Sequence, residues 1–174
     1  MSRTKLKIHF YGSSVLRQKS EEVSIVDDTV RDILTNMLSV MYENQGIGLA
    51  SNQVGILQKL VVVDLGKGPL KLVNPRVVEK SGSIALEEGC LSLPGLHVTV
   101  KRANNVLVEA LNERGYPLKI KAEGLLAVCL QHEIDHLNGI LLIDYLPFWK
   151  RGLARRIIKE ALKNEGVSQQ KNKL

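Results

Sequence analysis

The sequence predicts one domain that mixes helices and strands and keeps them apart along the chain. Three observations predict it: helical periodicity over residues 27–45, β-rich segments separated by turn residues between 59 and 121, and two further helical stretches after 124. With 174 residues, 44% apolar and 24% charged, the chain suits a single globular unit with a real core.

Residues 27–45 set Val30, Ile33, Leu34, Met37, Leu38, Met41 and Tyr42 at helical spacing, with Asp27 or Asp28 as the cap and Gly46 as the stop. Residues 59–65 hold the run Leu60-Val61-Val62-Val63, and 70–78 continue the β character around Asn74-Pro75. Residues 96–102 and 105–111 read as paired strands. Asn112 to Gly115 is a turn, and 117–121 alternates apolar and basic. The second helix spans 125–137. Its first half is apolar all round, which predicts burial in the middle of the fold, and Gly139 ends it. A third helix runs from about 148 to 163, with Leu153, Ile157, Ile158, Ala161 and Leu162 as its apolar stripe. The domain is therefore expected over 1–164, with 165–174 as a disordered polar tail.

Charge is unevenly spread. Residues 149–174 carry eight basic and two acidic side chains, which accounts for the whole net charge of +6. The body before them is balanced. The N-terminus has no apolar leader, and no run reaches the length of a membrane span. Two cysteines, Cys90 and Cys129, are too few for a disulfide scaffold and point to a reducing compartment.

The most informative stretch is His132-Glu133-Ile134-Asp135-His136. Two imidazoles four residues apart share one helix face, and Glu133 is placed to reach a water beside the ion they would hold. An HExxH pentapeptide also occurs by chance on ordinary surface helices. Here the helix is strongly apolar, so two histidines and two acids on it need a reason. A hydrolytic site of this kind needs a third protein ligand. No histidine follows His136, and the downstream acids Asp144, Glu160 and Glu165 are poorly spaced. The upstream candidate is Cys90, set among Gly, Ser, Pro and two acids, which is a poor setting for core filler. Cys129, in the apolar half of the helix, reads as filler. Asp135 either orients an imidazole N–H or is a solvated helix acid or structural ion pair. A third segment, Gly46 to Gly55, follows a helix and not a strand, so it is no dinucleotide loop. Its glycines suit close backbone approach to a ligand. Gln53 is a neutral donor able to hold an oxyanion, although spacing alone favours an ordinary loop residue.

Together these segments resemble the peptide deformylases. Gly46–Gln53 matches the family motif GxGLAAxQ, Glu88–Ser92 matches EGCLS, and Gln131–Gly139 matches QHExDHLxG. Tyr11 and Leu16-Arg17 resemble the family's N-terminal YPDPxLR segment. Ser51 replaces an alanine, Gly12-Ser13-Ser14 stands for Pro-Asp-Pro, and His97 falls where many members carry arginine. The resemblance covers roughly residues 5–147. It implies an α+β fold of mostly antiparallel strands around a central metal-binding helix, with an N-terminal and a C-terminal helix. It implies metal-dependent hydrolysis of the N-formyl group from the initiator methionine of nascent polypeptides. Cys90, His132 and His136 would hold one divalent ion, Fe²⁺ by resemblance, with Zn²⁺, Ni²⁺ or Co²⁺ equally suited by ligand type. Glu133 would move the proton, and Gln53 and the Leu91 N–H would hold the oxyanion. Ile47, Leu86, Leu91, Val128 and Cys129 would line the methionine pocket, with Gly48, Gly89 and His97 facing the peptide. The expected partners are formylmethionyl nascent peptides and, through the basic C-terminal helix, the ribosome; neither a membrane nor DNA is expected. The implied location is the cytoplasm or the bacterial-type translation compartment of an organelle. Two rivals are another metallohydrolase, such as a peptidase, and a non-catalytic ribosome-associated relative, which would lack a ligand or the base.

Overall fold

The computed structural model describes the backbone of residues 6–171 and the side chains of residues 6–164. Helix α1 (Asp28–Glu43) starts where Asp27 accepts a hydrogen bond from the Val30 N–H at 2.9 Å. It ends two residues short of the predicted span 27–45, with Asn44 as the cap and Gln45 in the left-handed region at φ 57°. Its buried side is Val30, Leu34, Met37, Val40 and Met41, while Tyr42 stays exposed and donates to Asp64 at 2.5 Å.

Seven strands follow: β1 (Gly48–Ala50), β2 (Leu60–Val63), β3 (Leu70–Ser81), β4 (Ile84–Glu88), β5 (Val98–Arg102), β6 (Asn105–Leu111) and β7 (Pro117–Glu123). Five form an antiparallel sheet in the order β1-β2-β3-β6-β7, and β4 pairs with β5 in a separate two-stranded sheet. The predicted pairing of 96–102 with 105–111 is therefore corrected. β5 pairs with β4, and β6 lies between β3 and β7. The Ala103-Asn104 link carries the chain from one sheet to the other. β1 and β4 were missed because one is three residues long and the other ends in two acids, which hides its alternation. β3 bends at Asn74, which has φ 52° and whose amide both accepts from and donates to the Val23 backbone at 2.9 Å.

Helix α2 (Leu125–Leu137) has its predicted bounds and packs against β1, β2, β3 and β7. Gly139 follows it at φ +74°, and a side chain there would collide with the Arg17 backbone. α1 packs against β1 and β2. Helix α3 (Phe148–Lys171) buries Ala154 and Ile158 in a cluster with Leu93, Leu96 and Leu142. Leu153, predicted on that stripe, is 63% exposed. The buried line runs through 154 and 158 with the half-buried 157, 161 and 162, and Leu153 lies one residue out of phase. α3 also passes its expected end at 163, because a helix already started gains one bond per added residue. Of the tail expected to be disordered, 172–174 lie outside the described residues. Among the described residues no helix is long and apolar enough to cross a membrane.

Candidate metal centre

The fold brings three distant donors together. Cys90 lies in the loop between β4 and β5, and His132 and His136 lie one turn apart on α2. The Cys90 sulfur is 3.2 Å from His136 Nε2, and the two Nε2 atoms are 3.2 Å apart. All three donor atoms lie within 4.8 Å of one another, the one such group found among the described residues. Cys90, the residue predicted as third ligand, is brought together with both histidines, and Cys129 is not in the group. Asp144 and Glu160 are engaged elsewhere, by Arg17 and Arg156.

These donors compete for protons in a dry site. Burial works against protonation of His132, but hydrogen bonds to Cys90 and Glu88 outweigh it and hold the imidazole well above its ordinary value. Burial and the His132 charge hold His136 well below its own. A sulfur and two imidazole nitrogens converging on one point suit a soft-leaning divalent cation, which would displace any proton they share. Burial also pushes the Glu133 carboxyl up to about 7. Its Oε2 is buried without a hydrogen-bond partner among the described residues. A carboxyl poised near neutrality is what proton transfer to and from water requires. Gly48 makes room for it: a side chain there would run into the Glu133 carboxylate and come within 2.8 Å of Cys129 Sγ.

Gln53 is not an ordinary loop residue. It is 2% exposed, accepts from the Ala50 N–H at 2.8 Å and donates to Ser92 Oγ at 3.1 Å. Its amide nitrogen lies 3.7 Å from the Cys90 sulfur. Two backbone bonds from the N-terminal segment tie the loops in place, His9 to Gln53 at 2.7 Å and Tyr11 to Ser92 at 2.8 Å. A cleft of about 340 Å³ opens over the centre and includes Gly48, Gln53, Gly89, Leu91 and His97. A smaller cavity of about 120 Å³ beside it is lined by Ile47, Leu86, Leu125, Val128 and Cys129, with Gly89 at its edge. The predicted pocket residues are gathered there, except that Leu91 lines the cleft, with its side chain toward Gly46. Leu125 was missed, although as the first residue of the helix it lies a turn before Val128 and Cys129. His97 is exposed at the mouth, 3.8 Å from Glu87.

The partner of His132 is Glu88, whose Oε2 accepts from Nδ1 at 2.8 Å. Asp135, the residue considered for that task, pairs with Arg102 at 2.8 Å and accepts from Tyr145 at 2.6 Å. The ion-pair alternative is the correct one, because Asp135 projects from a neighbouring face of α2 toward β5. Burial opposes the Glu88 charge, but hydrogen bonds from His132 and Arg102 hold its carboxyl below the usual range. Sequence reasoning passed over Glu88 and Arg102. The alternation of β5 carried a signal, since Val98, Val100 and Arg102 fall on one inward face. A cavity larger than the cleft, about 770 Å³, lies along that side of α2 beside Arg102, Asp135 and Tyr145, away from the three donors.

The model of the polypeptide deformylase family matches residues 5–152. The chain belongs to the polypeptide deformylase family. It is 43% identical to the peptide deformylase of Alkalilimnicola ehrlichii over 167 residues, 94% of each chain. It is 47% identical to that of Pseudoalteromonas translucida over 160 residues, 90% of this chain and 96% of the other. A crystal structure of a peptide deformylase from Legionella pneumophila superposes with a TM-score of 0.89 at 40% identity, covering 92% of this chain and 97% of that one. Deformylases are metal-dependent hydrolases that remove the N-formyl group from nascent peptides, and this chain is a hydrolase of that kind.

Proposed function

We propose that deformylation here runs on one ion, Fe²⁺, held by Cys90, His132 and His136, with Glu133 as the proton carrier. The observation that carries this reading is the convergence of three donor atoms within 4.8 Å beside a buried, unpartnered carboxylate oxygen. When bound, the divalent ion would make a water beside it far more acidic, so that hydroxide forms near neutral pH. Glu133 takes a proton from the attacking water and passes it to the departing amine nitrogen. A C–O bond forms to the formyl carbon as its C=O pair moves onto oxygen, and the C–N bond breaks when that pair returns and the amine takes the proton. Gln53 and the Leu91 N–H donate to the formyl oxygen as it gains charge, typically ~2.7–4 kcal/mol for each such donor. Ile47, Leu86, Val128 and Cys129 take the methionine side chain, with Leu91 at the pocket mouth. Gly48, Gly89 and His97 face the peptide backbone.

Fe²⁺ is chosen from the family resemblance; a thiolate with two imidazoles suits Zn²⁺, Ni²⁺ or Co²⁺ as well. Residues 1–164 form the catalytic domain, the cytoplasm is its place of work, and the exposed basic face of α3 meets ribosomal RNA. That last reading is supported by the exposure of Arg156, Lys159 and Lys163.

Cys90→Ser is expected to lose metal on purification without oxygen, and Cys129→Ser to keep full occupancy. Equal losses would refute the third ligand. Wild type should release formate from formyl-Met-Ala and leave an unblocked peptide uncut; cleavage of the unblocked peptide would favour the peptidase reading.

A further inference from the structure

The contacts behind His132 do not stop at Glu88. Arg102 grips both Glu88 oxygens, through Nε at 2.5 Å and Nη2 at 3.0 Å. Its third nitrogen, Nη1, donates to Asp135 Oδ2 at 2.8 Å and lies 3.3 Å from the Tyr145 hydroxyl. Tyr145 donates to the same Asp135 oxygen at 2.6 Å, and the guanidinium stacks 4.9 Å from the centre of its ring. Arg102 and Glu88 are each 7% exposed, so neither can turn to water for a substitute partner.

We propose that Tyr145 and Asp135 are positioning residues for the deformylase centre: they aim Arg102, Arg102 fixes Glu88, and Glu88 holds His132 with Nε2 toward the ion. The inference rests on the reading of His132 as a ligand.

The physical case is geometric. A carboxylate turns easily about its last torsion. One Glu88 oxygen serves both His132 and Arg102, so any turn of that carboxylate moves the partner that Nδ1 has among the described residues. A bidentate guanidinium stops the turn only if the guanidinium itself is fixed. Its fork is fixed at the far end by an acid, a hydroxyl and an aromatic face, all outside the cleft. Partners one step behind a ligand typically change metal affinity about 10–100-fold when altered.

The competing account makes the same residues a staple that ties α2 to β5 and to the 142–145 turn. Cobalt-loaded holoenzyme separates the two. Visible absorption of the bound Co²⁺ and its release to a chelator would be measured for wild type, Tyr145→Phe, Asp135→Asn and Arg102→Lys, with thermal unfolding of the metal-free forms alongside. The expected result is a shifted cobalt spectrum, with affinity lower by about 10–100-fold for Arg102→Lys and roughly tenfold for the other two. Tyr145→Phe removes one oxygen atom and keeps the ring, so it carries the test even where Arg102→Lys does not fold. Variants that unfold at lower temperature but keep the wild-type spectrum and bind Co²⁺ within twofold of wild type would overturn the proposal. His132→Ala tests the premise separately: unchanged cobalt affinity there would overturn the ligand assignment and the inference with it.

Discussion

Helices α2 and α3 treat polar groups in opposite ways. On α2, Gln131, His132, Glu133 and His136 are all buried. Each imidazole meets a donor or acceptor from another part of the chain, and Gln131 bonds both backbone groups of Ala103, at 3.3 and 2.9 Å. On α3, Arg156, Lys159 and Lys163 face solvent, and the fully buried residues among the described side chains are Ala154 and Ile158. The difference shows where this chain spends its tertiary contacts. Polar groups inside are costly unless paired, and neighbours pair most of those at the centre, leaving Glu133 Oε2 and His136 Nδ1 without a partner among the described residues. Charges outside need no partner and stay available to a binding surface.

The largest effects should come from the α2 side. Glu133→Ala is expected to keep its metal and to lose about 10²–10⁴ in formate release, the range of general acid–base catalysis. A rate within tenfold of wild type would refute the role. Gln53→Leu should follow with a loss of about 10²–10³ in kcat at unchanged metal content. An effect confined to KM would make Gln53 a ground-state binder.

The α3 side should respond through stability and not chemistry. Ile158→Ala empties a position that is 1% exposed and should cost about 2–5 kcal/mol in denaturant unfolding. A cost below about 1 kcal/mol would show that the stripe is not core. Because Ala154 and Ile158 belong to the core, charge substitution tests the ribosome contact better than truncation does. Arg156→Gln, Lys159→Gln and Lys163→Gln together should weaken salt-sensitive ribosome co-sedimentation and leave formate release from a short formyl-peptide within about twofold. Unchanged co-sedimentation would remove the ribosome reading.

The smallest effect lies at the seam between the two helices. Arg17 pairs with Asp144, and Arg151 donates to the Asp144 and Leu146 carbonyls at 2.9 and 3.0 Å. Burial opposes the Asp144 charge, but the bonds from Arg17 and the Leu141 N–H hold the carboxyl below its ordinary value of 3.8. A lowered folded-state pKa means that this stabilisation is present above the ordinary value and is lost as pH falls through the folded one. Asp144→Asn should therefore flatten the stability loss below about pH 4. An acid limb parallel to wild type would show that the pair contributes nothing, and partial exposure keeps the expected change small.

By itself the sequence determined the local features. α2 was legible from end to end because a 3.6-residue period, a run of apolar residues and a closing glycine act within a few turns. The two histidines inherit their shared face from that period, and Glu133 its place on the flank of that face. The charge of α3 was legible from composition, and its phase less so: Leu153 and Ala154 are adjacent, and only the surface beneath decides which one turns inward. Tertiary structure decided everything that joins distant segments. The partner of β5, the choice of Glu88 over Asp135 behind His132, and the burial of Arg102 depend on two loops and two sheets meeting around α2. Spacing along the chain carries no record of such meetings. Glu88 and His132 are 44 residues apart and touch only after the core has closed.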